Sequence, residues 1–320
     1  MNIEALRVAV RGDEIDTVLL VIPDMQGRLQ GKRMDARYFL DHAAAGHAEA
    51  CSYLLATDVE MSTVGGFASS SWETGDGDFV TRADLSTLRI VPWHDRTAFC
   101  IADVAGHDGQ AAEIAPRRIL QRQLERLAER GWRAMSATEL EFIVFEDSYE
   151  SAWDSGYREL TPANRYNVDY SILGSSRVEE LIGRIRREMS AAGLTVEASK
   201  GECNPGQHEI NFRYGDALTA ADEHVFFKNG AKEIAAQEGR SITFMAKYNE
   251  REGSSCHVHL SLVDANGRAV FAEEPAVFDH FVAGMLASAR ELTLLHAPNI
   301  NSYKRFADGS FAPPAVIWGA

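Results

Sequence analysis

The chain has 320 residues, of which 45% are hydrophobic, enough for a sizeable core and for one or two domains. Its 47 acidic and 32 basic residues give a formal net charge of −15 at pH 7. Such a surface repels nucleic acids and anionic membranes, so we expect neither as a partner. We also expect no membrane anchor, because no apolar stretch reaches transmembrane length and no basic-then-apolar signal pattern is present.

Cysteine usage indicates the compartment. The cysteines are far apart in the sequence and form no Cys-x-x-Cys pair, which is typical of reduced thiols. We therefore expect a cytoplasmic protein. The four positions are Cys51, Cys100, Cys203 and Cys256.

The first third of the chain predicts a small β-rich unit. Gly and Ser are frequent over 65–78 and the apolar residues there have no periodicity, so we expect a long loop, a feature that is often functional. The unit is expected to end near 106–109. The other expected elements are a strand over 17–22, a turn at 23–27, a basic strand over 28–33, a helix over 35–45, and strands over 88–93 and 97–104.

The remainder of the chain alternates helices and strands, which predicts an α/β domain. Ser176 and Glu179 have the spacing of a capping box at the start of a helix that ends before Gly193. The apolar residues of this helix follow helical spacing, which predicts a buried stripe: Val178, Leu181, Ile182, Ile185 and Met189. A helix is also expected to begin at Pro116 and to end before Gly131, with an apolar stripe formed by Ile119, Leu120, Leu124 and Leu127. The other expected elements are a strand over 134–145, a hairpin over 196–210, a helix over 220–238 and a strand over 242–247.

Carboxylates concentrate on the expected strands of this second part. Asn204-Pro205-Gly206 predicts a tight turn, so Glu202 and Glu209 should lie on adjoining strands with their carboxylates close together. Two further pieces, Glu139-Leu140-Glu141 and His257-Val258-His259, place a polar side chain at every second position. Residues two apart on a strand share a face, so each piece should present its polar pair to one side and its apolar residue to the other.

These carboxylates and imidazoles predict a divalent metal site. Each motif alone is more often a solvated strand face or a histidine with a structural partner. However, the apolar runs 142–145 and 260–263 follow directly, and a charge beside a buried strand is costly unless it is paired or bound to metal. Glutamate oxygens with one or two imidazoles suit Mg²⁺ or Mn²⁺ better than zinc.

Taken together, these motifs resemble the glutamine synthetase family in order and spacing, over essentially the whole chain. The resemblance implies an α+β fold: a β-grasp domain over 1–107, then a catalytic α/β domain over 108–320 whose antiparallel sheet carries the metal ligands. It also implies a homo-oligomer, a hexameric ring or stacked dodecamer, with active sites between subunits. The matching motifs are Asp24-Met-Gln-Gly27, Gly31-Lys32, 78–87, Glu139-x-Glu141, Lys200-Gly-Glu202, Gly206-Gln-His-Glu209, 243–247, 253–261 and Asn301-Ser-Tyr-Lys-Arg305.

Carried over position by position, the resemblance implies two divalent metal ions, Mg²⁺ or Mn²⁺. Glu141, Glu202 and Glu209 would hold the first ion, and Glu139 and His257 the second. Two divalent cations suit the transfer of the ATP γ-phosphoryl group to a carboxylate, which brings several negative charges together.

The resemblance also implies ATP as cofactor and glutamate as substrate. His259 and Ser261 would contact ATP, with Tyr214 or Phe212 against the adenine side. The implied intermediate is γ-glutamyl phosphate, which an amine then attacks.

Glutamate would be bound by Gly253 and Arg305, with His257 nearby. The planar guanidinium of Arg305 suits a bidentate pair with the α-carboxylate. The resemblance also implies that Arg305 and Glu202 are catalytic residues.

The sequence departs from true glutamine synthetases at the expected amine site. Phe311, in 309–313, replaces the flap glutamate that helps to bind ammonium, and an aromatic ring suits a larger amine. Asp58 stands where the family has an aspartate from the neighbouring subunit that deprotonates the nucleophile, and it is the third expected catalytic residue. The Gly-Ser-Ser expected after it is 59–61, Val-Glu-Met. These features favour a ligase that joins glutamate to an organic amine such as ethanolamine or a polyamine.

Family members are also longer, and the resemblance implies that residues past Ala320 supply a further metal-ligating glutamate and two arginines. We therefore expect the 320-residue chain, which stops within an expected strand over 316–320, to be a truncated form with weak or no activity. The alternatives are a glutamine synthetase that uses ammonium, a non-catalytic nucleotide- or metal-binding relative, and a structural ring protein.

Overall fold

The computed structural model describes residues 1–67 and 77–312, and the chain divides into two compact units. The first comprises Met1–Glu129, Glu188–Leu194 and Ala221–Gly230; the second comprises Arg130–Arg187, Thr195–Ala220 and Ala231–Ala320. Most of the loop expected over 65–78, and the strand expected over 316–320, lie outside the described residues. The domain boundary after residue 107 remains a prediction.

The first unit is built on a mixed sheet. Strand β1 lies parallel to β6, and the remaining pairs are antiparallel. The strand order is β2-β1-β6-β4-β3, with β5 paired to β6. The strands are β1 (Thr17–Pro23), β2 (Leu29–Asp35), β3 (Ala48–Cys51), β4 (Asp78–Ala83), β5 (Arg89–Ile90) and β6 (Thr97–Ala105).

The first two helices of this unit contribute to its apolar core. Asn2 caps α1, its Oδ1 accepting from the Ala5 N–H at 2.8 Å, and the helix buries Leu6 and Val10 in a cluster that includes Phe39. The expected helix over 35–45 is divided, because α2 is followed by a short 3₁₀ turn. The helices are α1 (Ile3–Arg11), α2 (Ala36–Asp41) and α3 (Pro116–Ala128).

The buried residue of α3 is a charged one, Arg117. Its guanidinium donates to Asp103 at 2.6 Å, to Asp84 at 2.6 Å and to Asp222 at 3.0 Å. The apolar stripe predicted for this helix is at most half-buried, and Ile119 remains 45% exposed. A buried arginine is tolerated here because carboxylates surround it.

The second unit is built on an antiparallel sheet around β7. One side of β7 pairs with β12 and β11, and the other with β10 and β9; β8 follows β9. This confirms the predicted hairpin and the antiparallel sheet that carries the acidic residues. The strands are β7 (Trp132–Phe145), β8 (Val196–Gly201), β9 (Gln207–Phe212), β10 (Gly215–Asp216), β11 (Ser241–Thr243) and β12 (Cys256–Asp264).

Helices lie between and after these strands in the sequence, and residues 188–191 and 221–230 of two of them belong to the first unit. The apolar stripe predicted for α6 is confirmed, since Val178, Leu181, Ile182, Ile185 and Met189 are buried. None of the helices in the described ranges combines the length and the apolarity needed to cross a membrane. The helices are α4 (Tyr149–Asp154), α5 (Ile172–Ser175), α6 (Glu179–Ala191), α7 (Ala217–Gln237), α8 (Val270–Glu273), α9 (Pro275–His296) and α10 (Ile300–Tyr303).

The predicted capping box before α6 is wrong. Helical structure already begins at Ile172, where the Ser171 Oγ accepts from the Gly174 N–H at 3.1 Å. Ser176 is therefore inside a helical stretch, and its hydroxyl donates backwards to the Ile172 carbonyl at 2.8 Å. A serine inside a helix commonly bonds this way.

Two predicted strands are shorter than expected. The strand over 88–93 reduces to Arg89–Ile90, because the chain then turns and the His94 N–H donates to the Val91 carbonyl. The strand over 242–247 ends at Thr243, and the Lys247 N–H donates to the side chain of Asn301 at 2.8 Å.

Candidate functional site

The hairpin of β8 and β9 brings two glutamates toward β7. The turn over 204–206 is formed as predicted: Gly206 has φ +76°, and the Gln207 N–H donates to the Asn204 carbonyl at 2.9 Å. A side chain on Gly206 would also collide with the Val144 carbonyl, so glycine is required there. Glu209 lies on β9, whereas Glu202 is one residue beyond the end of β8.

Glu141, Glu202 and Glu209 converge as the sequence predicted. Oxygen atoms of the three carboxylates lie within 4.8 Å of one another. Glu141 and Glu209 are buried, and they stand directly opposite each other on β7 and β9. We call these three residues the carboxylate cluster.

The electrostatics of the carboxylate cluster suit a divalent cation. Burial raises the pKa of Glu141 and of Glu209, and the neighbouring Glu202 charge raises both further. Close, poorly hydrated carboxylates gain most from a cation bound between them. Three oxygen donors on separate segments form a donor set that Mg²⁺ or Mn²⁺ prefers.

Two neighbours that sequence reasoning missed orient Glu141. The Gln207 Nε2 donates to the Glu141 Oε2 at 2.7 Å, and the Ser255 backbone N–H donates to the same oxygen at 2.8 Å. Gln207 is buried and also donates to the Gly253 carbonyl at 3.0 Å. Both residues lie inside motifs already identified, Gly206-Gln-His-Glu209 and 253–261, which was the available signal.

Glu202 also contacts a positively charged side chain two residues earlier in the sequence. The Lys200 ammonium binds the Glu202 Oε1 and lies 3.1 Å from the Asp169 Oδ1. Burial opposes charge on Lys200, but its hydrogen bonds to Glu202 and Asp169 raise its pKa overall. The Cys203 thiol lies within 4.8 Å of oxygens of the same two carboxylates, and burial raises its pKa.

Glu139 and the two histidines of β12 lie beside the cluster. In the strand register Glu139 is directly opposite His257, as the predicted second metal pair requires. The shortest contacts are crossed, however: the His259 Nε2 is 3.1 Å from the Glu139 Oε1, and the His257 Nε2 is 3.7 Å from the Glu141 Oε1. Both imidazoles are more than half exposed. Within the described residues, Glu139 and His257 belong to no group of three close donors.

The apolar residue between the histidines is exposed, unlike the one between the glutamates of β7. Leu140 is 7% exposed, but Val258 is 66% exposed, so only the β7 motif buries its central residue. In the run over 260–263, Leu262 is buried and Leu260 is 41% exposed.

A cavity of about 590 Å³ lies along the same strands. Its lining brings together the residues that the resemblance assigns to ATP, together with one carboxylate of the β7 motif. A cavity of this size is typical of small-molecule and cofactor sites. These residues are Glu139, Phe212, Tyr214, His259 and Ser261.

Gly253 and Arg305 are in contact, as their predicted shared role requires. A side chain on Gly253 would collide with the Ala246 carbonyl oxygen and with the Arg305 side chain. Arg305 is 8% exposed; its guanidinium donates to the Ser310 carbonyl and, at 3.0 Å, to the Ser255 Oγ. The Arg305 Nε is buried and has no hydrogen-bond partner among the described residues.

Some residues near the motifs have structural surroundings. His208 is buried, with its Nε2 2.8 Å from the Asn164 Oδ1, and burial lowers its pKa to about 4. Asp58 lies in the first unit, where its Oδ1 accepts from the backbone N–H groups of Glu60 and Ser62, each at 2.9 Å. Phe311, the expected flap residue, is 78% exposed.

Buried carboxylates beside a cavity of nucleotide size are typical of enzymes that use divalent metal ions to handle phosphate groups. The family model for the glutamine synthetase catalytic domain matches residues 113–320. The chain belongs to the glutamine synthetase family, whose enzymes use ATP and divalent metal ions.

Individual relatives narrow the comparison. The chain is 61% identical over 322 residues to gamma-glutamylethanolamide synthetase GlnA4 from Streptomyces coelicolor, covering 100% of this chain and 70% of that protein. It is 39% identical over 321 residues to glutamate–isopropylamine ligase from a Pseudomonas species, covering 98% of this chain and 70% of that protein. A solved GmaS/ADP complex is 28% identical with a TM-score of 0.81, covering 97% of this chain and 68% of that chain.

Proposed function

We propose that this protein is an ATP-dependent ligase that joins glutamate to a primary amine. A glutamate γ-carboxylate oxygen attacks the γ-phosphorus of ATP, and ADP leaves. The amine nitrogen then attacks the acyl carbon of γ-glutamyl phosphate, losing a proton as phosphate leaves. The observation that carries the proposal is the carboxylate cluster beside the nucleotide-sized cavity. The two relatives named as amine ligases make ethanolamine and isopropylamine the first amines to test.

The carboxylate cluster is proposed to hold one divalent ion, with Glu139 and His257 contributing to a second. Ions held by these residues would offset the negative charge that gathers during phosphoryl transfer. Gln207 and the Ser255 N–H fix the Glu141 carboxylate, so this ligand is already oriented before a cation arrives.

The cavity is proposed to bind ATP. His259 and Ser261 approach it from β12, while Phe212 and Tyr214 provide aromatic surface for the adenine ring. Glu139 lines the same cavity, so a cation held by this residue would be available to a bound nucleotide.

Arg305 is proposed to bind the α-carboxylate of glutamate, with Gly253 providing the close approach and His257 lying nearby. The unpaired, buried Nε supports this role, since a carboxylate ligand would supply its missing acceptor. Asp58 is proposed to take the proton of the attacking amine across a subunit boundary. Phe311 is proposed to face the carbon chain of that amine.

The remaining assignments belong to the same proposal. The sheet of the first unit is proposed to be the family's β-grasp domain, and the assembly a hexameric ring or stacked dodecamer in the cytoplasm.

Phosphate release tests the function. The purified chain would be assayed with ATP, glutamate and Mg²⁺ or Mn²⁺, adding ethanolamine, isopropylamine, spermine or ammonium in turn. We expect release to require glutamate and to be faster with an organic amine than with ammonium. Faster release with ammonium would identify a glutamine synthetase instead.

A matched pair of variants separates phosphate release by this chain from release by a contaminating ATPase. E202Q removes a carboxylate of the cluster with little change in volume and should abolish release. E273Q removes an exposed carboxylate from α8 and should leave release unchanged. Release that survives E202Q would contradict the proposed site.

A further inference from the structure

Glu202 belongs to two overlapping groups of donor atoms. One is the carboxylate cluster; the other contains Asp169 and Cys203. Lys200 contacts the shared residue and a residue of the second group, because its ammonium binds Glu202 and lies 3.1 Å from Asp169. A carboxylate proposed as a metal ligand therefore already has a cation from its own chain.

Asp169 is not the sole group that attracts the Lys200 ammonium away from Glu202. The Nζ lies 4.3 Å from the centre of the Tyr170 ring, a cation–π distance. Tyr170 has φ +53°, a left-handed conformation that is uncommon for a bulky residue, and Asp169 precedes it. Lys200 thus has a second binding place, one that does not require Glu202.

The charges of this region set up a competition. A divalent ion held by the carboxylate cluster and an ammonium on Glu202 would be like charges on one carboxylate, in a site where burial weakens screening. The ion would bind most tightly when Lys200 moves toward Asp169 and Tyr170. It would bind least tightly when Lys200 has Glu202 as its sole anionic partner.

We propose that Lys200 is an internal cation that competes with the divalent metal ion for Glu202, and that Asp169 favours metal binding by retaining Lys200 outside the cluster. Lys200 is then a positioning residue that tunes metal affinity. The inference rests on the metal site of the proposed function. It adds a control of metal affinity, by the position of Lys200, that the three carboxylates alone do not provide.

Mn²⁺ binding to the purified chain without ATP or glutamate tests this, by calorimetry or by the loss of the free-ion signal in electron paramagnetic resonance. K200M should bind Mn²⁺ about tenfold more tightly than the wild type, because a competing charge is removed. D169N should bind it about tenfold more weakly, because Lys200 then remains on Glu202. The double variant should resemble K200M, because Asp169 acts through Lys200.

Controls separate competition from a merely structural role. R240Q removes a positive charge from another ion pair of the same unit, with Glu146, and should bind Mn²⁺ like the wild type. K200Q repeats the charge removal if K200M does not fold, and thermal unfolding checks each variant. A structural role for Lys200 would weaken binding in K200M and D169N alike, and that result, or unchanged affinity in both, overturns the proposal.

Failure of the proposed metal site gives a different result. If the folded wild-type chain binds no Mn²⁺, and so behaves as E202Q does, the metal site is contradicted and this inference with it. Wild-type binding that E202Q abolishes and that K200M fails to strengthen contradicts the Lys200 inference alone.

Discussion

Glu141 and Glu209 are directly paired across β7 and β9, so two buried carboxylates face each other in the sheet. Like charges at opposing positions destabilise a sheet. The raised pKa of both groups reflects burial first and then the neighbouring Glu202 charge. This strand pair is therefore costly to the metal-free fold, and the proposed cation would offset that cost.

Substituting Glu209 should separate these two effects. We expect E209Q to increase the free energy of unfolding of the metal-free chain by about 1 kcal/mol, because the opposing charge is gone. The same variant should bind Mn²⁺ at least about tenfold more weakly, because a charged ligand is lost. Thermal unfolding in EDTA and in Mn²⁺ measures both, since a bound ion stabilises the folded state. A metal-free E209Q less stable than the wild type would contradict this account.

The cavity can be tested with two tyrosines of equal exposure. Tyr214 lines the cavity, Tyr157 is absent from its lining, and both are 60% exposed. Y214A should weaken ADP binding about fivefold, because an aromatic contact with the base is lost, whereas Y157A should have no effect. Calorimetry with ADP and Mg²⁺ gives the two affinities. Equal losses in both variants would show that the cavity is not the nucleotide site.

Gly253 should tolerate no side chain. In G253A the new methyl group meets the Ala246 carbonyl and the Arg305 side chain, so we expect about 1 to 3 kcal/mol of lost stability and a KM for glutamate raised about tenfold. Gly284 lies in α9 with open space around it, so G284A should be neutral or stabilising by up to about 1 kcal/mol. Chemical unfolding and glutamate titrations compare the two. Wild-type behaviour of G253A would argue against a close Gly253–Arg305 contact.

Stability should fall with acidity because of His208. Burial lowers the pKa of His208 to about 4, whereas an unfolded histidine titrates near 6.5. Between these values the unfolded chain binds more protons, so the free energy of unfolding falls as pH falls, by up to about 3 kcal/mol. H208Q should lose less stability from pH 7 to pH 4, and H280Q, at an exposed position on α9, should behave like the wild type. Parallel pH profiles for H208Q and the wild type would refute this.

Sequence periodicity predicted best the elements that bury a continuous face. Strand β7 and helix α6 show this. The continuous apolar run 142–145 is buried as a strand, and the apolar positions at helical spacing between 178 and 189 are buried along one face of a helix. The β8–β9 turn was equally predictable, since proline and glycine restrict its backbone. The closeness of Glu202 and Glu209 followed from that turn, whereas the addition of Glu141 to this pair was implied by the family resemblance.

Other features depend on contacts that no local pattern encodes. Arg117 is the buried residue of α3 because three distant aspartates surround it, not because of helical spacing. The Ser176 capping box failed because Ser171 starts the helical stretch one turn earlier. The crossed histidine contacts, His259 with Glu139 and His257 with Glu141, depend on side-chain directions across β7 and β12 that spacing leaves open.

The hydrogen bonds from Arg305 to Ser310 couple the proposed binding of glutamate to the position of the turn before Phe311. The guanidinium donates to the Ser310 carbonyl and, at 3.2 Å, to the Ser310 hydroxyl, so the turn before Phe311 is tethered to the group proposed to bind glutamate. A ligand that draws the guanidinium toward itself must weaken this tether. By thermodynamic reciprocity, whatever moves the turn changes glutamate affinity by the same factor. Bound glutamate would thus change the position of Phe311, the residue proposed to face the amine, before either substrate has reacted.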